Sequence, residues 1–176
     1  MDRLSIVKGD IVKMKTEAIV NAANTSLLGG GGVDNAIHRH AGEELLKECM
    51  TLGGCRTGEA KITKGYKLNA KYVIHTPGPM WRGGTKGESE LLAQCYRSCF
   101  AVAVENGIKS IAFPSISTGV YRFPVEQAAE IAIKEITYFL KTNTTMEKVV
   151  IVCFDEATLK AYKAALKNIT AKQQLN

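Results

Sequence analysis

The chain has 176 residues, of which 45% are hydrophobic and 23% charged, and its formal net charge is +6. This composition is close to ordinary globular usage, which excludes a disordered chain, and a domain of this length can bury a core without disulfides or metals. The apolar runs are too short to cross a membrane and residues 1–20 lack a signal-peptide core, so we expect one soluble domain over residues 1–176, located in the cytoplasm.

Hydrophobic periodicity predicts strands that alternate with helices. In chain order, the predicted elements are strands over 4–7 and 18–22, a helix over 33–50, strands over 60–63 and 72–75, a helix over 88–106, a strand over 110–113, a helix starting at Pro124, a strand over 149–154 and a last helix capped by Asp155. This alternation predicts an α/β sandwich with helices on both faces of the sheet.

The five cysteines are predicted to be free thiols in a reducing compartment, because their number is odd and no CxxC pair occurs. Cys95 and Cys99 lie four residues apart on an apolar helix face, so we expect both in the core. The paired ligand spacings of a structural zinc site are absent, and neither a metal nor another cofactor is predicted.

The positive charge raises the question of an anionic partner. Four of the lysines, at positions 160, 163, 167 and 172, fit the solvent-facing side of the last helix. No basic run is interleaved with aromatic residues, so nucleic acid is not predicted to be the main partner and stays a secondary alternative.

The segment between the second strand and the first helix contains Asn21, Asn24 and four consecutive glycines at 29–32, followed by Val33 and Asp34. Glycines directly before a helix expose backbone N–H groups at the positive end of the helix dipole, which favours a phosphate. No Gly-Lys-Ser/Thr follows, so the segment is not a nucleotide P-loop. We predict a phosphate-binding loop, and the alternative is a connector without function.

A second loop, with the sequence PSISTGVY at 114–121, also joins a strand to a helix. Its small hydroxyl residues and its glycine would let the backbone approach an anion closely. Two such loops in one α/β domain predict a diphosphate held from both sides. At the ends of the first and last strands, Asp10 could accept a hydrogen bond from an exocyclic amine and Phe154 could stack on a base, although a turn residue and a core residue are the ordinary interpretations.

Several segments resemble the macro domain family, and in particular its MacroD-type hydrolase branch. They are VNAAN at 20–24, LLGGGGVD at 27–34, IHR at 37–39, TGEA at 57–60, YVIHT at 72–76, ISTGVY at 116–121 and CF at 153–154. The resemblance covers nearly the whole chain and implies a three-layer α/β/α sandwich with a central mixed sheet. It also implies binding of ADP-ribose and metal-independent hydrolysis of ADP-ribose from acidic side chains of mono-ADP-ribosylated proteins, or of O-acetyl-ADP-ribose.

The resemblance implies three groups of substrate-binding residues. Asp10 and Ile11 would contact the adenine, and Phe154 would pack on its ring. The diphosphate would be held by the backbone of two segments, namely Gly31, Gly32 and Val33 in the first loop and Ser117, Thr118, Gly119, Val120 and Tyr121 in the second. Asn21 is placed with the substrate-binding residues, and the alternative is that it orients the first loop.

The same resemblance implies catalytic roles for Asn24, Asp34 and His38. Asn24 would hold the distal ribose, and Asp34 would lie near its reacting carbon, where a carboxylate can orient or deprotonate water or polarise a ribose hydroxyl. Asp34 belongs to the first helical turn, where the helix dipole favours an anion. His38 shares that helix face four residues later, and a structural histidine is the alternative interpretation.

Two other functions remain open at this point, a non-catalytic ADP-ribose reader and an RNA-binding module. The pair Asn24 and Asp34 favours an enzyme, since a reader needs no carboxylate at the distal ribose. One position departs from the family pattern, because Arg122 stands where glycine usually follows the loop tyrosine. An arginine tolerates a positive φ poorly, so an ordinary backbone conformation is expected there. Arg122 is either a surface cation or a contact to the diphosphate or to an acidic substrate protein.

Overall fold

The computed structural model of the chain describes residues 2–175, which form strands and helices in alternation. The strands are β1 (Leu4–Lys8), β2 (Ala18–Ala23), β3 (Lys61–Lys64), β4 (Tyr72–Pro77), β5 (Ser110–Phe113) and β6 (Lys148–Cys153). The α-helices are α1 (Gly32–Ala41), α2 (Glu43–Met50), α3 (Glu88–Glu105), α4 (Val125–Thr142) and α5 (Glu156–Gln174). Within residues 2–175, no helix combines the length and the apolar character that a membrane crossing requires.

The six strands form one mixed sheet in the order β1-β6-β5-β2-β4-β3. All neighbouring strands are parallel except β3, which runs antiparallel to β4. The carboxyl ends of the five parallel strands therefore lie along one edge of the sheet, which is the edge where open α/β sheets bind ligands. The predicted loops after β1, β2, β5 and β6 all leave the sheet at this edge.

The sheet carries a hydrophobic core on each face. On one face, Ile37 of α1 and Leu45 of α2 pack over Ile19 and Val73 of the sheet. On the other face, α3, α4 and α5 contribute a larger core that includes Ile133 and the fully buried cysteines at 95 and 99. This arrangement confirms the three-layer prediction. All five cysteines are free, as predicted, and all five are buried, whereas burial was predicted only for Cys95 and Cys99.

The region 33–50 differs from its prediction, because it forms two helices instead of one. Gly42 separates α1 from α2 and adopts φ 94° and ψ 178°, a backbone region that is open essentially to glycine alone. Periodicity continues across the break, since Ile37 and Leu45 both face the sheet. The apolar pattern alone therefore could not reveal the interruption.

The predicted helix starts agree with the structure to within one residue. Asp155 precedes α5 and its carboxylate accepts a hydrogen bond from the backbone N–H of Thr158 at 2.8 Å. Pro124 lies directly before the first residue of α4. One short element was not predicted, a 3-10 helix over Ile11–Lys13 that follows β1. Asp10 is the N-cap residue of this helix.

Candidate active site

The first loop is built around Asn24, which follows β2. The Asn24 side chain donates from Nδ2 to the carbonyl oxygen of Gly29 at 2.8 Å, and its Oδ1 accepts from the backbone N–H of Leu27 at 3.1 Å. Leu27 is fully buried at φ 62°, so its side chain anchors the loop in the core while the backbone turns. These contacts close residues 24–29 into a fixed turn and deliver the glycines to the start of α1.

The glycines leave the start of α1 uncovered. Gly31 precedes the helix in an extended conformation, and Gly32 is its first residue at φ 59°. A Cβ atom added at either residue would meet no atom within 4 Å, and both residues are exposed. A ten-residue helix therefore begins beside open space, and its first backbone N–H groups and its dipole favour an anion there.

Asp34 lies in the first turn of α1 and is 2% exposed. Its Oδ1 accepts a hydrogen bond from Asn21 Nδ2 at 2.9 Å, whereas its Oδ2 has no hydrogen-bond partner in the described part of the chain. A Cβ atom at Gly30 would lie 3.1 Å from Asp34 Oδ2 and 3.2 Å from Asn24 Nδ2. The loop thus brings a carboxylate oxygen and an amide nitrogen to one point, and the absence of a side chain at Gly30 leaves room beside both, although Asp34 Oδ2 itself is buried.

His38 accompanies Asp34 on the same helix face, as the spacing predicts. Its Nε2 lies 3.3 Å from Asp34 Oδ1, and its side chain is 14% exposed. The orientation of the ring does not make this contact a hydrogen bond, and Nε2 is buried without a partner among residues 2–175. His38 is therefore close enough to influence the carboxylate and has a nitrogen that remains available.

Asn21, which the sequence places among the substrate-binding residues with orientation of the first loop as the alternative, is completely buried in the structure. Its Nδ2 contacts two protein atoms, Asp34 Oδ1 at 2.9 Å and His75 Nδ1 at 3.1 Å. These two contacts use both amide hydrogens. Asn21 therefore supports Asp34 from behind and leaves no donor for a ligand.

The second loop follows β5 and is shaped by its own hydroxyl groups. Ser115 Oγ lies 2.7 Å from Thr118 Oγ1 and 2.9 Å from the hydroxyl of Tyr162 on α5. The N–H of Phe123 donates to Ser117 O at 2.9 Å and closes the turn. The side chains of Ser115 and Thr118 are thus engaged within the protein, and it is the backbone of the loop that faces outward at Gly119 and Val120, both of which are exposed.

Arg122 also differs from its expected conformation. Its φ is 61°, in the left-handed region, and its N–H donates to Gly119 O at 3.0 Å. The turn that closes the second loop requires this backbone, so the arginine of this chain adopts a conformation that glycine favours. The side chain of Arg122 is exposed, as expected.

A neighbouring segment supports the second loop through Trp81. The N–H of Trp81 donates to Tyr121 O at 2.8 Å, and its ring lies 4.8 Å from the ring of Phe123. The following turn is held by the carboxylate of Glu88, which is 2% exposed and accepts backbone N–H groups from three residues, Arg82, Gly84 and Lys86. Burial raises the pKa of Glu88, but these hydrogen bonds outweigh it and lower the pKa to about 2.

The residues predicted to hold a base meet where β1 and β6 end side by side. The N–H of Gly9 donates to Cys153 O at 2.9 Å, which brings Asp10 close to Phe154. The Asp10 carboxylate accepts from the N–H of Val12 at 3.1 Å, while Ile11 is buried at 5% exposure. Phe154 is 84% exposed, so its ring is free to stack instead of belonging to the core.

Two of the grooves formed by residues 2–175 differ in their relation to the predicted site. One of about 530 Å³ runs beside the first loop and includes Gly30 and His38 in its wall. A larger one of about 760 Å³ lies between α4 and α5 and contains none of the predicted site residues. Residues 2–175 contain no group of three or more His, Cys, Asp or Glu side chains arranged for a metal ion.

Sequence reasoning assigned no role to three residues that structure this site, namely His75, Thr63 and Glu88. His75 lies in a segment noted only for its resemblance to the family. The residue types gave a weak signal, since a polar residue at an inward strand position indicates a buried hydrogen bond. Which partner it meets depends on the pairing of β2, β4 and β3, and the sequence does not reveal that pairing.

Comparison with known proteins agrees with this geometry. A family model described as Macro domain matches residues 20–132. The O-acetyl-ADP-ribose deacetylase of Salmonella gallinarum is 52% identical over 168 residues, which are 93% of this chain and 94% of that protein. The ADP-ribose glycohydrolase MACROD2 of Xenopus laevis is 52% identical over 173 residues, which are 97% of this chain and 41% of that protein.

The structural comparison leads to the same family. A macrodomain variant from Oceanobacillus iheyensis, solved with ADPR, superimposes with a TM-score of 0.92 at 45% identity and covers 96% of this chain and 94% of that one. Membership of one family explains both the sequence resemblance and the order of the strands in the sheet. The chain belongs to the macro domain family.

Proposed function

We propose that this macro domain binds ADP-ribose and hydrolyses its esters, releasing ADP-ribose from acidic side chains of modified proteins or from O-acetyl-ADP-ribose. The observation that carries the proposal is the unpartnered Oδ2 of buried Asp34, which lies beside Asn24 Nδ2 at Gly30, next to an open helix start. The names of the Salmonella and Xenopus relatives, a deacetylase and a glycohydrolase, support a hydrolytic enzyme.

Binding in this proposal spans the carboxyl edge of the sheet. The adenine lies between Asp10, Ile11 and the exposed ring of Phe154. The diphosphate is held by backbone N–H groups at Gly31, Gly32 and Val33 on one side and along residues 117–121 on the other. Backbone donors at a helix start favour an anion by both hydrogen bonding and the helix dipole.

The chemistry takes place at the distal ribose. Asn24 has one amide hydrogen beyond the one it gives to Gly29, and this hydrogen donates to a ribose hydroxyl. Asp34 Oδ2 accepts the proton of a water molecule, or of a ribose hydroxyl, as the ester bond breaks. One water is consumed, and the products are ADP-ribose and the free carboxylic acid. His38, whose Nε2 lies 3.3 Å from Asp34 Oδ1, stabilises the charge on that carboxylate.

The test compares three substrates under single-turnover conditions, with free ADP-ribose measured by chromatography. We expect release from protein mono-ADP-ribosylated on Glu or Asp and from O-acetyl-ADP-ribose. A serine-linked conjugate should stay intact, because it contains no ester. In ¹⁸O-labelled water, label in the released acid would show attack at the acyl carbon, and label in ADP-ribose would show attack at the ribose.

The reader function is the outcome that would contradict the proposal. A reader would bind ADP-ribose in calorimetry and release none from either ester. An RNA-binding module would instead show salt-sensitive binding to RNA that persists when ADP-ribose is saturating. Modified proteins are the proposed macromolecular partners of the site.

A further inference from the structure

We infer that His75 is a positioning residue for this hydrolysis, acting through Asn21 to hold the carboxylate of Asp34 with Oδ2 directed to the substrate. The inference rests on the proposed function, because it takes Asp34 as the reacting carboxylate. At 0% exposure His75 offers no surface to a ligand, so its action is indirect.

The register of the sheet places the participating residues in one row. His75 of β4 pairs directly with Asn21 of β2, and parallel neighbours on one rung project from the same face. Thr63 of β3 pairs with Val73, which is two residues from His75 and therefore faces the same way. The row Asn21, His75 and Thr63 lies beneath α1 and α2, in a layer otherwise filled by Ile19 and aliphatic neighbours.

The hydrogen bonds in this row have a defined direction. Asn21 Nδ2 carries two hydrogens and gives one to Asp34 Oδ1 at 2.9 Å and one to His75 Nδ1 at 3.1 Å. Nδ1 must therefore be unprotonated, so that Nε2 carries the ring proton and donates to Thr63 Oγ1 at 2.9 Å. The Thr63 hydroxyl in turn donates to Lys64 O at 3.1 Å. Each hydrogen bond in this series fixes the orientation of the next side chain.

The consequence for Asp34 follows from the amide of Asn21. Without an acceptor at His75, the second hydrogen of Asn21 Nδ2 would be buried and unpaired, and the hydrogen bond to Asp34 alone would hold an amide whose Oδ1 has no partner among residues 2–175. The amide would then tilt from its present plane and shift the Asp34 carboxylate with it. A displacement of about 1 Å at a reacting group can cost on the order of 100-fold in rate.

Burial, more than the titratable groups around it, keeps the ring of His75 neutral. From α1 it faces Asp34 and His38, whose ring centroid is 6.5 Å away, and from α2 it faces Cys49, whose Sγ lies 3.9 Å from Nε2. Burial, followed by the neighbouring His38, lowers the pKa of His75 to about 4 despite the opposing effect of Asp34. Burial and then Asp34 and Glu48 raise the pKa of Cys49 to about 11, so its thiol stays protonated.

The experiment measures kcat and KM on O-acetyl-ADP-ribose and the Kd of ADP-ribose for wild type and four variants. His75→Leu removes the acceptor. His75→Asn restores it, because Oδ1 of asparagine occupies the position of Nδ1. Thr63→Val removes the second link in the chain, and Thr137→Val removes a buried hydroxyl on the opposite face of the sheet as a matched control.

We expect His75→Leu to lower kcat by roughly 10- to 100-fold while KM and Kd change less than about twofold, since the residue touches no ligand. His75→Asn should recover kcat to within about threefold of wild type. Thr63→Val should lower kcat by a smaller factor than His75→Leu does. Thr137→Val should match wild type. A folded His75→Leu protein with wild-type kcat, or equal losses in the Leu and Asn variants, would overturn the inference.

A spectroscopic measurement separates this inference from the proposed function. NMR of ¹⁵N-labelled histidine should show the His75 proton on Nε2, and the ¹³C signal of the Asp34 carboxyl should move in His75→Leu. A proton on Nδ1, or an unmoved Asp34 signal, overturns the positioning role even in an active enzyme. If wild type binds ADP-ribose but hydrolyses no ester, the proposed function fails whatever these spectra show.

Discussion

At the residue scale, Asp34 combines burial with an oxygen that the protein leaves unbonded. Its position in the first turn of α1 favours the anion, and Asn21 supplies one hydrogen bond to Oδ1. A buried carboxylate oxygen without a partner costs stability in the free protein, which is typical of groups kept for chemistry instead of folding.

We predict that Asp34→Asn lowers turnover of ADP-ribose esters by roughly 10²–10⁴-fold, the range for a lost general base, because an amide cannot accept the proton. The affinity for ADP-ribose should stay within about threefold, since the diphosphate donors are backbone groups of other residues. Calorimetry and single-turnover kinetics measure the two effects. Glu130→Gln, an exposed charge removal on α4, is the control, and turnover by Asp34→Asn at the wild-type rate would contradict the role.

Arg122 illustrates strain at a single residue, because its φ of 61° is unfavourable for any residue with a Cβ. The left-handed conformation costs a residue with a Cβ about 1–2 kcal/mol, which a glycine at this position would save. The greater freedom of glycine in the unfolded chain offsets about half of this saving. We predict that Arg122→Gly raises the free energy of unfolding by about 0.5–1 kcal/mol relative to Arg122→Ala, which removes the charge but keeps the strain. Urea unfolding of both variants checks this.

The same two variants decide the role of the Arg122 side chain. Both lack the guanidinium, so a direct contact to the diphosphate would weaken ADP-ribose binding equally in both, and the loss would shrink as salt rises. Unchanged affinity in both variants at low ionic strength would make Arg122 a surface cation. A stability difference of zero between glycine and alanine would contradict the strain argument.

At the scale of the elements, Gly42 sets the angle between α1 and α2. It follows the last residue of α1, its N–H donates to His38 O at 3.2 Å, and its carbonyl accepts from Leu45 N at 3.3 Å. One residue thus ends the helix that carries Asp34 and starts the helix that covers His75.

We predict that Gly42→Ala lowers the free energy of unfolding by about 2–3 kcal/mol, because its φ and ψ lie in a region that is essentially limited to glycine. A Cβ there would also lie 3.3 Å from both Glu44 Oε2 and Lys67 Cδ. Gly53→Ala is the matched control, since Gly53 has φ 69° with open space around it and should lose only about 1 kcal/mol. Equal losses in thermal or urea unfolding would contradict this distinction.

The elements themselves were largely predictable from the sequence, because apolar periodicity reports which side of a strand or helix is buried. The strand 110–113 matches β5, and the other strands differ by one or two residues at one or both ends. The break at Gly42 was not predictable, since apolar residues continue on both sides of it. An ordinary φ was predicted for Arg122, and this prediction was wrong. The turn that requires the positive φ is closed by hydrogen bonds to Ser117 O and Gly119 O, and these outweigh the backbone preference of arginine.

The site was predictable in part for a similar reason. Glycines before a helix and small residues after a strand indicate anion binding locally, so both loops could be predicted without knowledge of the sheet. The burial of Asn21 and the roles of His75 and Thr63 depend on three strands that are distant in sequence and adjacent in space. Local patterns contain no information about that register.

At the scale of the whole molecule, the buried row beneath α1 and α2 links the active site to global stability. The row crosses β2, β4 and β3, so a change in the charge of His75 affects the packing of one entire face of the sheet. Its pKa of about 4 in the folded protein compares with an ordinary value of 6.5. Between these two values the unfolded chain binds one more proton at this residue than the folded chain does.

The free energy of unfolding is therefore expected to rise with pH between about 4 and 6.5, by about 3 kcal/mol in total from this residue, so that this contribution is fully present above about pH 6.5 and fully lost once the pH has fallen through about 4. Urea unfolding at half-unit pH steps measures the profile. In His75→Asn this part of the pH dependence should disappear, because asparagine does not titrate, while the contribution of the carboxylates below pH 5 should remain. Wild-type and His75→Asn profiles that run parallel between pH 4 and 6.5 would contradict the burial of a neutral His75. A flattened profile would show that the residue positioning Asp34 also sets the acid limit of the fold.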